Sequence, residues 1–297
     1  MKVTPRLQPA IATLCFVLCL LTACREQRQA PLPDHPRLTP KVAFVDVNFF
    51  SSALQRDMPY RVVLPFGYAE RKQILPVVYL LHGGGGGFRD WTNYSDVAHY
   101  AEQGLILVMP EGESSYYMNS TGNPQDRYED YIVKDLIADV EKRFPASNSR
   151  NRRAIIGVSM GGYGAIVLAL KHPGLFALAA GLSPALDVPT RPFSIKRISQ
   201  WRRHRSIFGA WNGKMQQAND PYPLARAADP GKTPYIFLSC GRQEGLLPAN
   251  RKFASILQQR QLAYEFHIAP GGHDWNQWNQ LLPRLFETLA DHLNTNV

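Results

Sequence analysis

The sequence holds a serine in a setting that suits nucleophilic catalysis: Gly157-Val158-Ser159-Met160-Gly161, extended by Gly162. A strand-like stretch at 153–156 leads into it, and an apolar run at 165–170 follows. Strand, G-x-S-x-G, then helix is the context in which a serine stands on a sharp turn with its hydroxyl exposed. Glycine on either side lets that turn close without a Cβ clash. A serine hydroxyl is a poor nucleophile at neutral pH, so it needs a base and a third group to orient the base. Two later loops supply such groups. Gly241-Arg242-Gln243-Glu244-Gly245 follows the apolar stretch 235–240, and Pro270-Gly271-Gly272-His273-Asp274-Trp275 follows the alternating stretch 263–268. His273 reads as general base toward Ser159 and then as general acid toward the leaving group. Glu244 reads as the carboxylate that fixes the imidazole tautomer. Asp274 is a weaker choice of acid because it adjoins His273, and Asp220 and Asp229 are weaker still.

An attack on an ester carbonyl builds negative charge on oxygen, which preorganised donors must meet. The backbone N–H of Met160, just after the serine, is one expected donor. The second is expected from the loop His82-Gly83-Gly84-Gly85-Gly86-Gly87, with Gly84 favoured and Gly83 the alternative. A phosphate-cradling role for this glycine run does not fit, because Phe88-Arg89-Asp90 follows where Gly-Lys-Ser/Thr would be needed. Trp91, Tyr116 and Tyr117 are expected to shape a substrate pocket, together with residues 183–233.

These groups are far apart in sequence, so a fold must gather them. Strand-like stretches occur at 42–50, 60–64, 77–81, 105–109, 153–156, 176–182, 235–239 and 263–268. The runs at 77–81 and 105–109 are continuously apolar, as suits central strands covered on both faces. The clearest helix spans 128–144, where Tyr128, Ile132, Leu136, Val140 and Phe144 recur every four residues. Acidic residues at its start and Lys142 and Arg143 at its end match the helix dipole. Further helices are expected after Ser159, over 248–261 and over 275–293. Alternating strands and helices predict an α/β fold with a largely parallel sheet. Residues 183–233, rich in proline and without a strong strand, read as an insertion over the carboxyl edge of that sheet, where such folds place their sites. Arg191, Lys196, Arg197, Arg202, Arg203 and Arg205 cluster within it.

Taken jointly, Tyr79-Leu80-Leu81-His82-Gly83-Gly84, Asp90-Trp91, Val108-Met109-Pro110, Tyr128-Glu129-Asp130-Tyr131, residues 157–162 and Pro270-Gly271-Gly272-His273-Asp274-Trp275 resemble the esterase D-like branch of α/β hydrolases. That branch includes S-formylglutathione hydrolases, tributyrin, feruloyl and acetylxylan esterases and the antigen 85 mycolyltransferases. The resemblance runs from about residue 42 to the C-terminus. It implies an α/β-hydrolase fold with a cap at 183–233, a serine carboxylesterase acting on carboxylic esters or thioesters of small molecules or carbohydrates, and no cofactor or metal. The branch usually places Asp where this chain has Glu244, and Glu also serves in triads. Two rival readings are an acyltransferase of the antigen 85 type and a non-catalytic binding lipoprotein on the same fold.

Lys2 and Arg6 precede an apolar run, 10–21, that is too short for a good membrane span. It ends in Leu21-Thr22-Ala23-Cys24, which resembles a bacterial lipobox. Residues 1–23 are therefore expected to be a signal peptide and Cys24 to carry the lipid anchor. Arg25 leans toward the outer membrane, facing the periplasm. The proline-rich stretch 24–40 reads as a tether that does not pack, ahead of the catalytic domain at 41–297. Cys15, Cys19 and Cys24 look like metal ligands on paper, but two lie inside the leader. Cys240 then stands alone as a free thiol. The formal charge of +9 suits anionic surfaces, yet neither zinc-finger spacing nor a long basic heptad helix points to nucleic acid.

Overall fold

The computed structural model describes residues 33–68, 73–193, 195 and 198–293. The leader and Cys24 lie outside them. Eight strands form one sheet: β1 (Val42–Ser51), β2 (Arg56–Pro65), β3 (Val77–Leu81), β4 (Ile106–Pro110), β5 (Arg153–Val158), β6 (Leu178–Leu182), β7 (Tyr235–Gly241) and β8 (Tyr264–Ala269). Their spatial order is β1-β2-β4-β3-β5-β6-β7-β8. β1, β2 and β4 pair antiparallel, and β4, β3, β5, β6, β7 and β8 pair parallel. The helices are α1 (Asp90–Tyr94), α2 (Tyr128–Asp130), α3 (Ile137–Arg143), α4 (Met160–Lys171), α5 (Ile198–Phe208), α6 (Lys214–Ala218), α7 (Pro221–Ala227), α8 (Leu247–Gln259) and α9 (Trp275–His292).

Alternation along the central strands builds two cores. Val77, Tyr79 and Leu81 of β3 face one side, with Ile132, Leu136, Ile166 and Phe253 from the helices. Val78 and Leu80 face the other, with Trp91, Leu282, Leu285 and Phe286. Successive side chains of a strand point to opposite faces, so a continuously apolar strand needs helices on both sides.

The expected helix 128–144 forms, but with a π-helical segment, Tyr131–Leu136, between α2 and α3. The reason lies in the spacing. Apolar residues every four positions drift by about 40° per step around an ordinary α-helix of 3.6 residues per turn. A wider turn takes up part of that drift and keeps Tyr128, Ile132, Leu136 and Val140 buried together. The described end of the stretch 24–40, from residue 33 on, also departs from expectation. The Arg37 N–H donates to the Thr92 carbonyl (2.8 Å) and the His35 N–H to Asn93 Oδ1 (3.2 Å), so the end of the tether lies against α1.

Residues 183–233 carry α5, α6 and α7 and, among the described residues, no strand. They are fixed to the body at Asn219. Its carbonyl accepts from the Tyr163 hydroxyl (2.6 Å) and its Oδ1 from Lys171 Nζ (2.9 Å). Lys171 and His172 also meet the buried carboxylate of Glu129. Of the basic cluster, Arg191 is held bidentately by Asp187 (2.7 and 2.9 Å).

Candidate active site

Ser159 stands between the end of β5 and the start of α4 with φ 55° and ψ −112°. A non-glycine residue there is strained, and such strain persists only where surrounding structure enforces it. The enforcement is visible. The Ser159 N–H donates to the Leu182 carbonyl (2.8 Å), and its carbonyl accepts from Tyr163 (3.0 Å) and Ala185 (3.1 Å). A Cβ on Gly157 would come within 2.2 Å of the Gly161 carbonyl group, and one on Gly161 within 2.3 Å of the Leu81 carbonyl. Only glycine fits at either place.

The ends of β5, β7 and β8 bring three side chains together. His273 Nε2 lies 2.8 Å from Ser159 Oγ, and His273 Nδ1 lies 2.6 Å from Glu244 Oε2. The tautomer follows from the network: Nδ1–H donates to the carboxylate, and Nε2 accepts the serine O–H. Glu244 is buried. Its second oxygen accepts from the Ser183 hydroxyl (2.5 Å) and the Gly241 N–H (2.6 Å). Ser183 Oγ in turn accepts from Trp278 Nε1 (3.0 Å), and the Trp278 ring packs edge-on against His273. The other acids do different work. Asp274 caps α9 by accepting from the Gln277 N–H (3.0 Å), and Asp220 caps α7 through the Tyr222 N–H (3.0 Å). Asp229 accepts from the Gly231 N–H in an exposed turn.

The glycine loop after β3 meets the same point. Gly83 lies against Ser159 and Val158, and Gly84 against the Met160 side chain. Met160 is the first residue of α4, where a backbone N–H has no partner within the helix. The Gly84 N–H has no hydrogen-bond partner among the described residues. His82 anchors the loop from below. It is buried, with Nδ1 2.8 Å from the Gly83 carbonyl and Nε2 near the Gly112 N–H (2.9 Å) and Glu111 Oε1 (3.1 Å). Burial pulls the His82 pKa down, but the Glu111 carboxylate and the Gly83 carbonyl outweigh it and leave it raised. Burial pushes Glu111 up, but His82 and the N–H groups of Glu113 and Phe88 leave it lowered.

Two expected pocket residues turn out to be framework. Trp91 is buried, donates Nε1–H to the Leu81 carbonyl (3.1 Å) and packs against Trp275. Tyr117 is also buried, fills the space over Gly112 and Gly164, and donates its hydroxyl to the His82 carbonyl (3.1 Å). Both are large aromatic side chains beside the site, Trp91 in α1 and Tyr117 in a turn, where the core extends beneath them. Tyr116 differs. It is half-buried, adopts φ 55°, and meets His204 (Nε2 3.2 Å from its hydroxyl), Tyr163 and Phe208 at the junction of body and cap. Sequence reasoning missed Ser183, Trp278 and Glu111. Ser183 carried one usable signal, its place directly after β6. Cys240 is buried and its thiol is pushed up to about 12, chiefly by burial. Among the described residues no cluster of His, Cys, Asp or Glu is arranged to hold a metal.

Comparison with known proteins finds esterases and serine hydrolases. An acetyl esterase of Caldicellulosiruptor saccharolyticus is 26% identical over 263 residues, covering 84% of this chain and 98% of that protein. An esterase of Mycobacterium tuberculosis is 28% identical over 257 residues, and the match spans 54% of its length. A substrate-bound fluorophosphonate-binding serine hydrolase of Staphylococcus aureus superposes with a TM-score of 0.71 at 27% identity, covering 84% of this chain and 98% of that one. The sequence pattern of a family described as "Putative esterase" matches residues 51–289. With the α/β-hydrolase fold and ester-hydrolysing relatives in agreement, the chain belongs to this esterase family.

Proposed function

We propose that the chain is a serine carboxylesterase that works through an acyl-enzyme on Ser159. The observation that carries this is the continuous run of contacts from Glu244 through His273 to Ser159, ending on a strained turn. His273 Nε2 takes the Ser159 proton as Oγ attacks the ester carbonyl carbon. The carbonyl electrons move to oxygen, where the N–H groups of Met160 and Gly84 receive the charge. Collapse breaks the bond to the alcohol, which leaves with the proton from His273. Water then loses a proton to His273 and attacks the acyl carbon. The acid departs, and the proton returns to Ser159 Oγ. Glu244 stays ionised throughout and stabilises the imidazolium. The name of the acetyl esterase relative directs the first assays toward short acyl chains on small-molecule or carbohydrate alcohols. Thioesters belong in the same panel. Hydrolysis across that panel, absent in Ser159→Ala, is the expected result; equal rates from the Ser159→Ala protein would reject the reading.

The leader belongs to the same proposal. A lipid on Cys24 would tether the enzyme in a bacterial envelope membrane, in the outer membrane facing the periplasm. Its support is the sequence from Lys2 to Arg25. Incorporation of labelled palmitate into the wild type and not into Cys24→Ser is the expected outcome. Equal labelling of both would reject it.

A further inference from the structure

The outer face of the cap is built for a surface of a different kind from the rest of the molecule. Ile198, Trp201, Arg202 and Arg205 lie at i, i+3, i+4 and i+7 of α5 and so share one face. Phe193 packs edge-on against Trp201, Arg205 lies over the same ring, and Trp201 and Trp211 line one open groove. Phe193 is 57% exposed, Ile195 77%, Ile198 43% and Trp211 52%. With Met215, these are five of the eleven exposed large hydrophobic residues in the described chain, gathered within 193–215. The inner residues Ile207 and Phe208 are buried, so the helix already has its core face satisfied. Arg202, Arg203 and Arg205 meet no carboxylate among the described residues, whereas Arg191 is matched by Asp187.

We infer that this cap face docks on an anionic phospholipid surface. The chemistry matches on both counts. Unpaired arginines complement phosphate and anionic head groups, and tryptophan with isoleucine and phenylalanine suits the boundary between head groups and acyl chains. A solvated helix face would explain the charges but not the exposed tryptophan and phenylalanine beside them. The groove beneath the patch is bounded by Val188 and Pro189. Val188 lies three residues after Ala185, whose N–H holds the Ser159 carbonyl. The inference rests on the cap alone and is independent of the leader.

The test uses the full chain with phosphatidylcholine vesicles, with and without phosphatidylglycerol, carrying brominated acyl chains. Tryptophan emission should be quenched when phosphatidylglycerol is present, and the quench should largely vanish in the Trp201→Phe, Trp211→Phe double variant. Because each cation near an anionic surface strengthens binding about fivefold, Arg202→Gln with Arg203→Gln should shift the quench titration about 25-fold. Salt should act in the same direction. These arginine changes sit on an exposed face, so the protein keeps its fold if the tryptophan variant does not. Quenching that ignores phosphatidylglycerol and the arginines, or that survives loss of both tryptophans, would overturn the inference. A dimer seen by light scattering and broken by Trp211→Phe would overturn it too, by assigning the patch to a second copy.

Discussion

Replacing Glu244 by Gln changes almost no volume, yet the local hydrogen bonds leave the amide one arrangement. Glu244 Oε1 accepts from the Gly241 N–H at 2.6 Å and from Ser183 Oγ at 2.5 Å. A backbone N–H only donates, so the amide oxygen of Gln must take that place. The amide NH2 then faces His273 Nδ1, where the carboxylate stood at 2.6 Å. Turned the other way, two donors would face each other in a buried site, which costs roughly 1–3 kcal/mol. The imidazole is therefore driven into the tautomer with its proton on Nε2, pointing at Ser159, and it can no longer accept the serine proton. By the serine-protease precedent the loss in kcat approaches 10,000-fold, about 5 kcal/mol of transition-state stabilisation. Asp274→Asn is the internal control. Asp274 caps α9, and Asn caps nearly as well, so turnover should stay within about twofold and stability within about 0.5 kcal/mol. The assay is kcat on a short-chain ester, with circular dichroism to show that both proteins fold. Near-normal turnover in Glu244→Gln, or its collapse in Asp274→Asn, would refute the assignment of the acid.

Ser183→Ala removes one of the two donors on Glu244 Oε1 and leaves the Trp278 N–H unpaired. A hydrogen bond to a charged group contributes about 1.5–3 kcal/mol, so kcat should fall about tenfold or more. A drop in stability with kcat unchanged would make Ser183 purely structural. Gly161→Ala must push a Cβ into the Leu81 and His82 carbonyls, 2.3 and 2.6 Å away. It should cost about 3 kcal/mol and lower Tm by roughly 10 °C; an unchanged melt would show that the elbow tolerates a side chain. Burial, then Arg191 and Arg203, push His204 down to about 4. The unfolded chain takes up the proton first, so stability is full above about pH 6.5 and declines as pH falls from there to about 4. Allowing for its partial exposure, the loss is on the order of 1–2 kcal/mol, or a few degrees in Tm. His204→Gln should flatten that slope, and an equally steep slope in the variant would reject the assignment.

The site was legible in the sequence where backbone geometry dictates residue type. The glycines around Ser159 are required by carbonyls 2.2–2.3 Å from any added Cβ, and the loops bearing Glu244 and His273 follow strands announced by an apolar run at 235–240 and an alternating one at 263–268. The sheet was legible for the same reason, because strands covered on both faces cannot hide their hydrophobicity. What stayed hidden depends on three-dimensional neighbours. Trp91 and Tyr117 look like pocket aromatics in sequence, and only packing shows that they face inward. Only its place directly after β6 marks Ser183; it matters because β6 and β7 are adjacent and Glu244 curls back over them. The π turn at Tyr131–Leu136 was present in the four-residue spacing, but an ordinary helical reading absorbs it.

The acyl-enzyme on Ser159 is a covalent species that mass spectrometry reads without an intermediary. The protein is mixed with an activated short-chain ester, quenched in acid within the first turnovers, digested and mapped. One acyl group is expected on the peptide containing Ser159, formed in the wild type and absent from His273→Gln after the same interval. Turnover with the acyl group on another residue, or with Ser159 never acylated, would contradict it.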